Sequence, residues 1–353
     1  MNKVTLYTLA ALCLVVLIGA VVFATSRRSR QSQTQSSNQL PVLPIVTPAN
    51  PQPESSETAT PQTTPQTPVT QKQIVQTDVL DIHALPLGDG MVSSFPKSGY
   101  VYSCQTSFNG GGADHAGSWI SGTTWDLTKK ISVQGSVAWP NAVFSAIQSG
   151  ISRVLSGNGL PVNAITGIFP IQTTDPAYQY DRNPNSIETQ KDNFTLPANP
   201  TIAATPSCVP MGAIGFALNG VAIYNALDDA GRDAVAHEVQ DSCNGHPQSA
   251  GEYHYHGPSS CMPHEHENNA LVGYALDGFG IFSPYDANGR EYANADLDEC
   301  HGITSEISWN GKTVNMYHYV LTREYPYTIG CFRGTPVPAH TQSSGTRLPP
   351  PPK

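Results

Sequence analysis

Tyr253-His254-Tyr255-His256, returning as Tyr317-His318-Tyr319, decides how this chain is read. Successive side chains of a strand point to opposite faces, so the histidines of each stretch share one face and the tyrosines the other. Two imidazoles side by side on a rigid strand are half of a metal site. The surroundings repeat as well. Gly215-Phe216-Ala217-Leu218-Asn219-Gly220 returns as Gly273-Tyr274-Ala275-Leu276-Asp277-Gly278, and Asp241-Ser242-Cys243-Asn244-Gly245 as Asp298-Glu299-Cys300-His301-Gly302. Ile223-Tyr224 matches Ile281-Phe282, Gly231-Arg232 matches Gly289-Arg290, and the copies close on Cys261 and Cys331. The order is kept throughout, which makes this an internal duplication with too few copies for a solenoid. The match is imperfect at one position that matters, because Val320 stands where the first copy has His256.

Outward from these blocks the chain reads as mainly β: all-β, or α+β with a few short helices. Val101–Ser103, Ile131–Trp139, Ala164–Ile171, Ala213–Leu218 and Leu271–Leu276 are short apolar or alternating runs broken by Gly, Pro and Asn. The best helix candidate is Asp228–Asp241, with Ala234, Val235 and Val239 on one side. Residues 78–205 carry no copy of the repeat and are expected to pack against residues 206–340, which hold repeat 1 (about 211–263) and repeat 2 (about 269–336). Asn109-Gly110-Gly111-Gly112 and Tyr180-Asp181-Arg182-Asn183-Pro184-Asn185 read as turns, the second closed by an Asp-Arg pair.

From Met211 to Pro336 the chain resembles the YHYH domain family, through the blocks quoted together with Tyr325-Pro326-Tyr327 and Gly330-Cys331-Phe332-Arg333-Gly334. That resemblance implies a secreted bacterial protein and carries no activity with it.

Val4–Ala24 holds no charged residue and is long enough to cross a bilayer, so residues 1–25 are expected to be a signal anchor or a signal peptide. Arg27, Arg28 and Arg30 behind it favour a cytoplasmic C-terminus, but long domains translocate largely regardless of such charge, and six of the seven cysteines lie beyond residue 100. The expected location is therefore extracytoplasmic, tethered to the membrane by the N-terminal helix or secreted. Residues 26–77, rich in Ser, Gln, Thr and Pro, cannot bury enough apolar surface to order themselves and read as a disordered tether; residues 341–353 read as a disordered tail. From residue 78 on, 13 Lys and Arg face 25 Asp and Glu, which excludes nucleic acid as a partner.

The six outer cysteines allow 15 connectivities. Equivalence of the repeats pairs Cys243 with Cys261 and Cys300 with Cys331, leaving Cys104 for Cys208. No Cys-x-x-Cys spacing supports thiolate ligation of a metal instead.

Chemistry is expected at the histidines, since neutral imidazole is the commonest metal ligand. The expected set is His254, His256 and His318, joined by His246 or Asp241, and the expected ion zinc or copper. His237-Glu238-Val239-Gln240-Asp241 invites comparison with a zinc-hydrolase helix, but Asp replaces the second histidine; alternatively Glu238 or Asp241 pairs with Arg232 at a helix cap. His264-Glu265-His266 reads as a solvated loop. Enzyme status stays open: an open three-histidine site would suit a metal-dependent hydrolase or oxidoreductase, and a closed one would be structural or a carrier. Two metal-free alternatives stand beside this reading. In one, Asp241 and Asp298 hold the histidines in a polar core; in the other, an adhesive surface module exposes Tyr253 and Tyr317.

Overall fold

Alternation at Tyr253–Tyr255 places that segment in an eight-stranded sheet, the largest in the molecule. The computed structural model describes residues 80–338, and they lie within one compact unit. Eleven strands of three or more residues occur among them: β1 (Phe144–Ser149), β2 (Ser152–Gly157), β3 (Asp192–Pro197), β4 (Ala213–Ala217), β5 (Ala222–Tyr224), β6 (Gly245–Pro247), β7 (Tyr253–Tyr255), β8 (Leu271–Ala275), β9 (Gly280–Phe282), β10 (Gly302–Trp309) and β11 (Lys312–Val320). The chain is mainly β, as its short broken runs imply.

The large sheet runs β6-β7-β5-β4-β8-β9-β11-β10. From its centre, the antiparallel pair β4/β8, the order is the same in both directions. A hairpin partner comes first (β5 or β9), then a parallel strand (β7 or β11), then an antiparallel edge strand (β6 or β10). Registers agree too, down to an irregularity between Ala213 and Gly215 that recurs between Leu271 and Gly273. At the central pair the backbones pass so closely that a Cβ on Gly215 would sit 2.8 Å from Tyr274 O and one on Gly273 2.6 Å from Phe216 O. Glycine at both positions is what lets β4 and β8 meet. The Tyr-His-Tyr stretches lie 64 residues apart and the Gly-x-Ala-Leu blocks 58, a difference absorbed by length in the β10/β11 hairpin, which turns at Asn310-Gly311.

Tyrosines of both stretches fill the core: Tyr253, Tyr255 and Tyr319 are fully buried and Tyr317 is 5% exposed. Their hydroxyls find polar partners, as buried phenols require. Tyr253 donates to Asp241 (2.8 Å) and Tyr317 to Asp298 (3.0 Å), while Tyr255 accepts from the Asn219 amide (3.0 Å) and Tyr319 donates to Asp277 (2.6 Å). This burial removes the exposed tyrosines on which an adhesive reading depends. The two aspartates that might have held histidines hold tyrosines instead.

The expected helix shrinks to one turn, α1 (Ala234–His237), capped by the Asp233 carboxylate accepting from Ala236 N (3.2 Å). Residues 228–232 are spent on a tight turn in which Asp228 accepts from Ala230 N and Arg232 N and pairs with the Arg232 guanidinium (2.7 Å). Arg232 therefore pairs with neither Glu238 nor Asp241. Glu238 is extended (ψ 144) and ends the turn.

Residues 80–205 wrap the sheet. The small sheet β3-β2-β1 packs Phe194 on Phe216 at 4.8 Å, and the Arg153 guanidinium lies over the rings of Tyr274 and Trp309. A second cluster, with Leu85, Trp119, Trp125 and Val133, closes on α1, where Trp119 Nε1 donates to Ala236 O (2.8 Å). Arg182 reaches Asp114, not Asp181. Disulfides join Cys104 to Cys208, Cys243 to Cys261 and Cys300 to Cys331, bonds that point to an extracytoplasmic protein. The signal anchor, the tether and the tail fall on residues outside those described; among the described residues no helix is long and apolar enough to cross a membrane.

Candidate metal centre

Strand pairing assembles the centre. His246 on β6 sits directly opposite His254 on β7, and His256 follows two residues on, so all three imidazoles share a face. The rings pack with centroids 4.5–5.4 Å apart, and one nitrogen from each lies within 4.8 Å of the others. Glu238, delivered by the extended residue after α1, completes the group: its Oε2 is 3.4 Å from both His246 Nε2 and His256 Nε2. Water is shut out. Exposure is 4% for His246, 2% for His254, 4% for His256 and 8% for Glu238.

Hydrogen bonding fixes which nitrogens are free. His254 Nδ1 faces Glu252 O at 3.1 Å and His256 Nδ1 faces Asn225 O. A carbonyl only accepts, so each Nδ1 carries the proton and, in a neutral ring, each Nε2 keeps a lone pair. These two Nε2 atoms point at one another 3.0 Å apart. Two lone pairs at that separation repel unless a cation lies between or beside them. A proton is a poor candidate, because burial holds His254 well below the usual imidazole range and takes His256 down to about 4. Burial and the two neighbouring imidazoles act the same way on His246. Glu238 moves in the opposite direction: burial, with Asp181, Asp228 and Asp229 nearby, pushes its carboxyl well above the usual range against the pull of Lys130. His246 Nε2 and Glu238 Oε2 are buried without a hydrogen-bond partner, and orphaned buried polar atoms are costly.

The spacing suits a metal ion. Tetrahedral zinc with bonds of about 2.0–2.1 Å spaces its ligand atoms about 3.3 Å apart; three of the six separations among these four donors are 3.0, 3.4 and 3.4 Å, and the three imidazole nitrogens all lie within 4.8 Å of one another. Outer partners orient the ligands, as in known metal sites: carbonyls hold two rings, and the Tyr224 ring stacks on His254 at 3.8 Å. The Asn183 amide, fixed by Pro247 O (2.9 Å), approaches His246 Nδ1 at 3.4 Å. The 180–185 segment, which its sequence marks only as a turn, thus brings Asn183 against the site.

Of the five expected ligands, the structure brings together His246, His254 and His256. His318 is not among them. It lies on β11, five strand spacings from β7, or about 24 Å at about 4.8 Å each. Symmetry about β4/β8 sends equivalent residues to opposite ends of the sheet, so the repeats cannot share one ion. Nor is Asp241 a ligand: its carboxylate is consumed by Tyr253 OH and the amides of Gly167, Cys243 and Gly245. His237, in the hydrolase-like stretch, turns away to Asp89 (2.9 Å). Glu238 meets the histidines because it lies past α1 in extended backbone and not within a helix.

The second half keeps only a fragment of the arrangement. Ile303 stands opposite His318 as His246 stands opposite His254, and Val320 replaces His256. His301 occupies, at φ 69, the left-handed position held by Asn244 at φ 56 in the first half. Its ring bonds Thr322 Oγ1 (2.9 Å), and burial lowers its pKa from 6.5 to about 3. As pH falls below 6.5 the unfolded chain takes up a proton that the folded chain refuses, so stability is lost toward pH 3. His301→Asn, a residue that tolerates this φ, should flatten the dependence of unfolding free energy on pH between about 6 and 4 by about 1.4 kcal/mol per unit. Urea titrations across that range would show it; an unchanged slope would mean that His301 is not buried neutral.

Residues 193–291 match the family model described as YHYH protein, whereas no curated protein and no solved structure matches the chain. The matched segment contains all but the first residue of β3, then β4–β9, α1, Glu238 and the three clustered histidines. Residues 193–291 of this chain thus carry a YHYH domain.

Proposed function

We propose that the protein binds one transition-metal ion through His246, His254 and His256, with Glu238 as fourth ligand, and that the ion is zinc. The observation that carries this is the pair of lone-pair-bearing Nε2 atoms held 3.0 Å apart beside two orphaned polar atoms. Three imidazoles and a carboxylate are donors that zinc and copper both accept, and zinc, which takes such a set in a closed four-coordinate site, is the ion the reading adopts. With four protein donors and almost no solvent access, the site is closed. That favours a structural or storage role over hydrolytic or oxygen chemistry, which needs an open position.

Titration of the metal-free protein with zinc, followed calorimetrically, should saturate at one equivalent, and His318→Ala should bind the same amount with the same affinity. Saturation at two equivalents, or loss of binding in His318→Ala, would contradict the assignment.

A further inference from the structure

All three histidines of the centre lie between Cys243 and Cys261, inside a ring closed by a disulfide of sequence separation 18. Cys243 is three residues before His246 and Cys261 five after His256. Resting on the metal-binding reading above, we propose that the site is coupled to the oxidation state of this disulfide: the bond preorganises the ligands, and its opening by a dithiol reductant releases the ion.

Several contacts converge on the bond. Ser259 Oγ donates to Cys243 O and accepts from Cys261 N (3.1 Å), and the Asn219 amide holds both Cys261 O (2.9 Å) and Tyr255 OH (3.0 Å). Asp241 fixes the other end through Cys243 N, Gly245 N and Tyr253 OH. Displacement of either sulfur therefore pulls on β6 or on the end of β7, the two strands whose register places the imidazoles. The bond can also be reached. It lines an open groove of about 760 Å³ with Asn163, Ile165, Leu218 and Met262; Cys243 is buried, whereas Cys261 is partly exposed. A reductant's thiolate would attack Cys261 Sγ, forming a mixed disulfide and expelling Cys243 as thiolate. The reductant's second thiol then closes its own disulfide and frees Cys261. The cystine gains two electrons and two protons, and the dithiol loses the same.

Coupling is reciprocal: whatever factor disulfide closure adds to metal affinity, metal adds to the resistance of the disulfide to reduction. The chain supplies its own control in Cys300–Cys331, whose ring encloses His301 and His318 but no member of the metal set.

The test compares Cys243→Ser/Cys261→Ser with Cys300→Ser/Cys331→Ser by zinc titration. The first pair should weaken zinc affinity about 100-fold, the order expected from opening a loop of this length, and the second by less than about threefold. Equal affinities in the first pair and the wild type would overturn the proposal. If the first variant does not fold, the wild type decides: it is treated with a phosphine reductant, with and without one equivalent of zinc, and cysteines are mapped by mass spectrometry. Zinc should slow opening of Cys243–Cys261 alone; equal rates with and without zinc would overturn the coupling. Failure of the oxidised wild type to bind zinc at all would instead refute the metal site.

Discussion

His254→Ala should abolish stoichiometric zinc uptake and, with it, the stabilisation that zinc confers on the wild type. His254 provides one of the two facing Nε2 atoms, and its removal leaves a buried hole that the remaining donors cannot bridge. A ligand that binds only the folded state stabilises by about 4 kcal/mol at a thousand times its Kd. Thermal unfolding should therefore show a large zinc-dependent shift for the wild type and none for His254→Ala. The two proteins should differ far less without metal, because the apo site holds two lone pairs in repulsion. A polar core that needs no ion makes the opposite prediction: equal destabilisation with or without zinc.

Asp241→Ala should destabilise the protein by about 3 to 5 kcal/mol whether or not metal is present. The Asp241 carboxylate takes Tyr253 OH and the amides of Gly167, Cys243 and Gly245, all within the core. Truncation leaves these donors unpaired, each at a cost of about 1–3 kcal/mol before relaxation. Chemical denaturation of metal-free and zinc-loaded forms separates the two roles: a scaffold residue shifts both curves equally, and a ligand shifts only the loaded one.

The contrast between these residues shows what the sequence could disclose. Period-two alternation puts His254 and His256 on one face whatever the rest of the chain does, and the repeat blocks identify strands and cysteine partners because both depend on local pattern. Pairing order is a different kind of information. His318 looks equivalent to His254 in sequence, but the strand order puts their strands at mirrored places on either side of the β4/β8 pair, which means distance, not convergence. His246 belongs with the set because β6 folds back on β7 in the register that opposes it to His254. Apolar spacing over 228–241 predicts a helix, whereas the Asp228–Arg232 turn and the Asp233 cap leave only one helical turn and put Glu238 in an extended conformation that aims it at the histidines. Sequence spacing alone does not contain that turn chemistry's tertiary consequence.

The most direct test is elemental analysis of the folded protein, purified without a histidine tag or added metal and with its disulfides intact. The proposed site predicts one equivalent of zinc per chain, lost on substitution of His254. Preparations that fold and stay monodisperse while holding neither zinc nor any other transition metal, and that take up none when zinc is supplied, would contradict the metal centre.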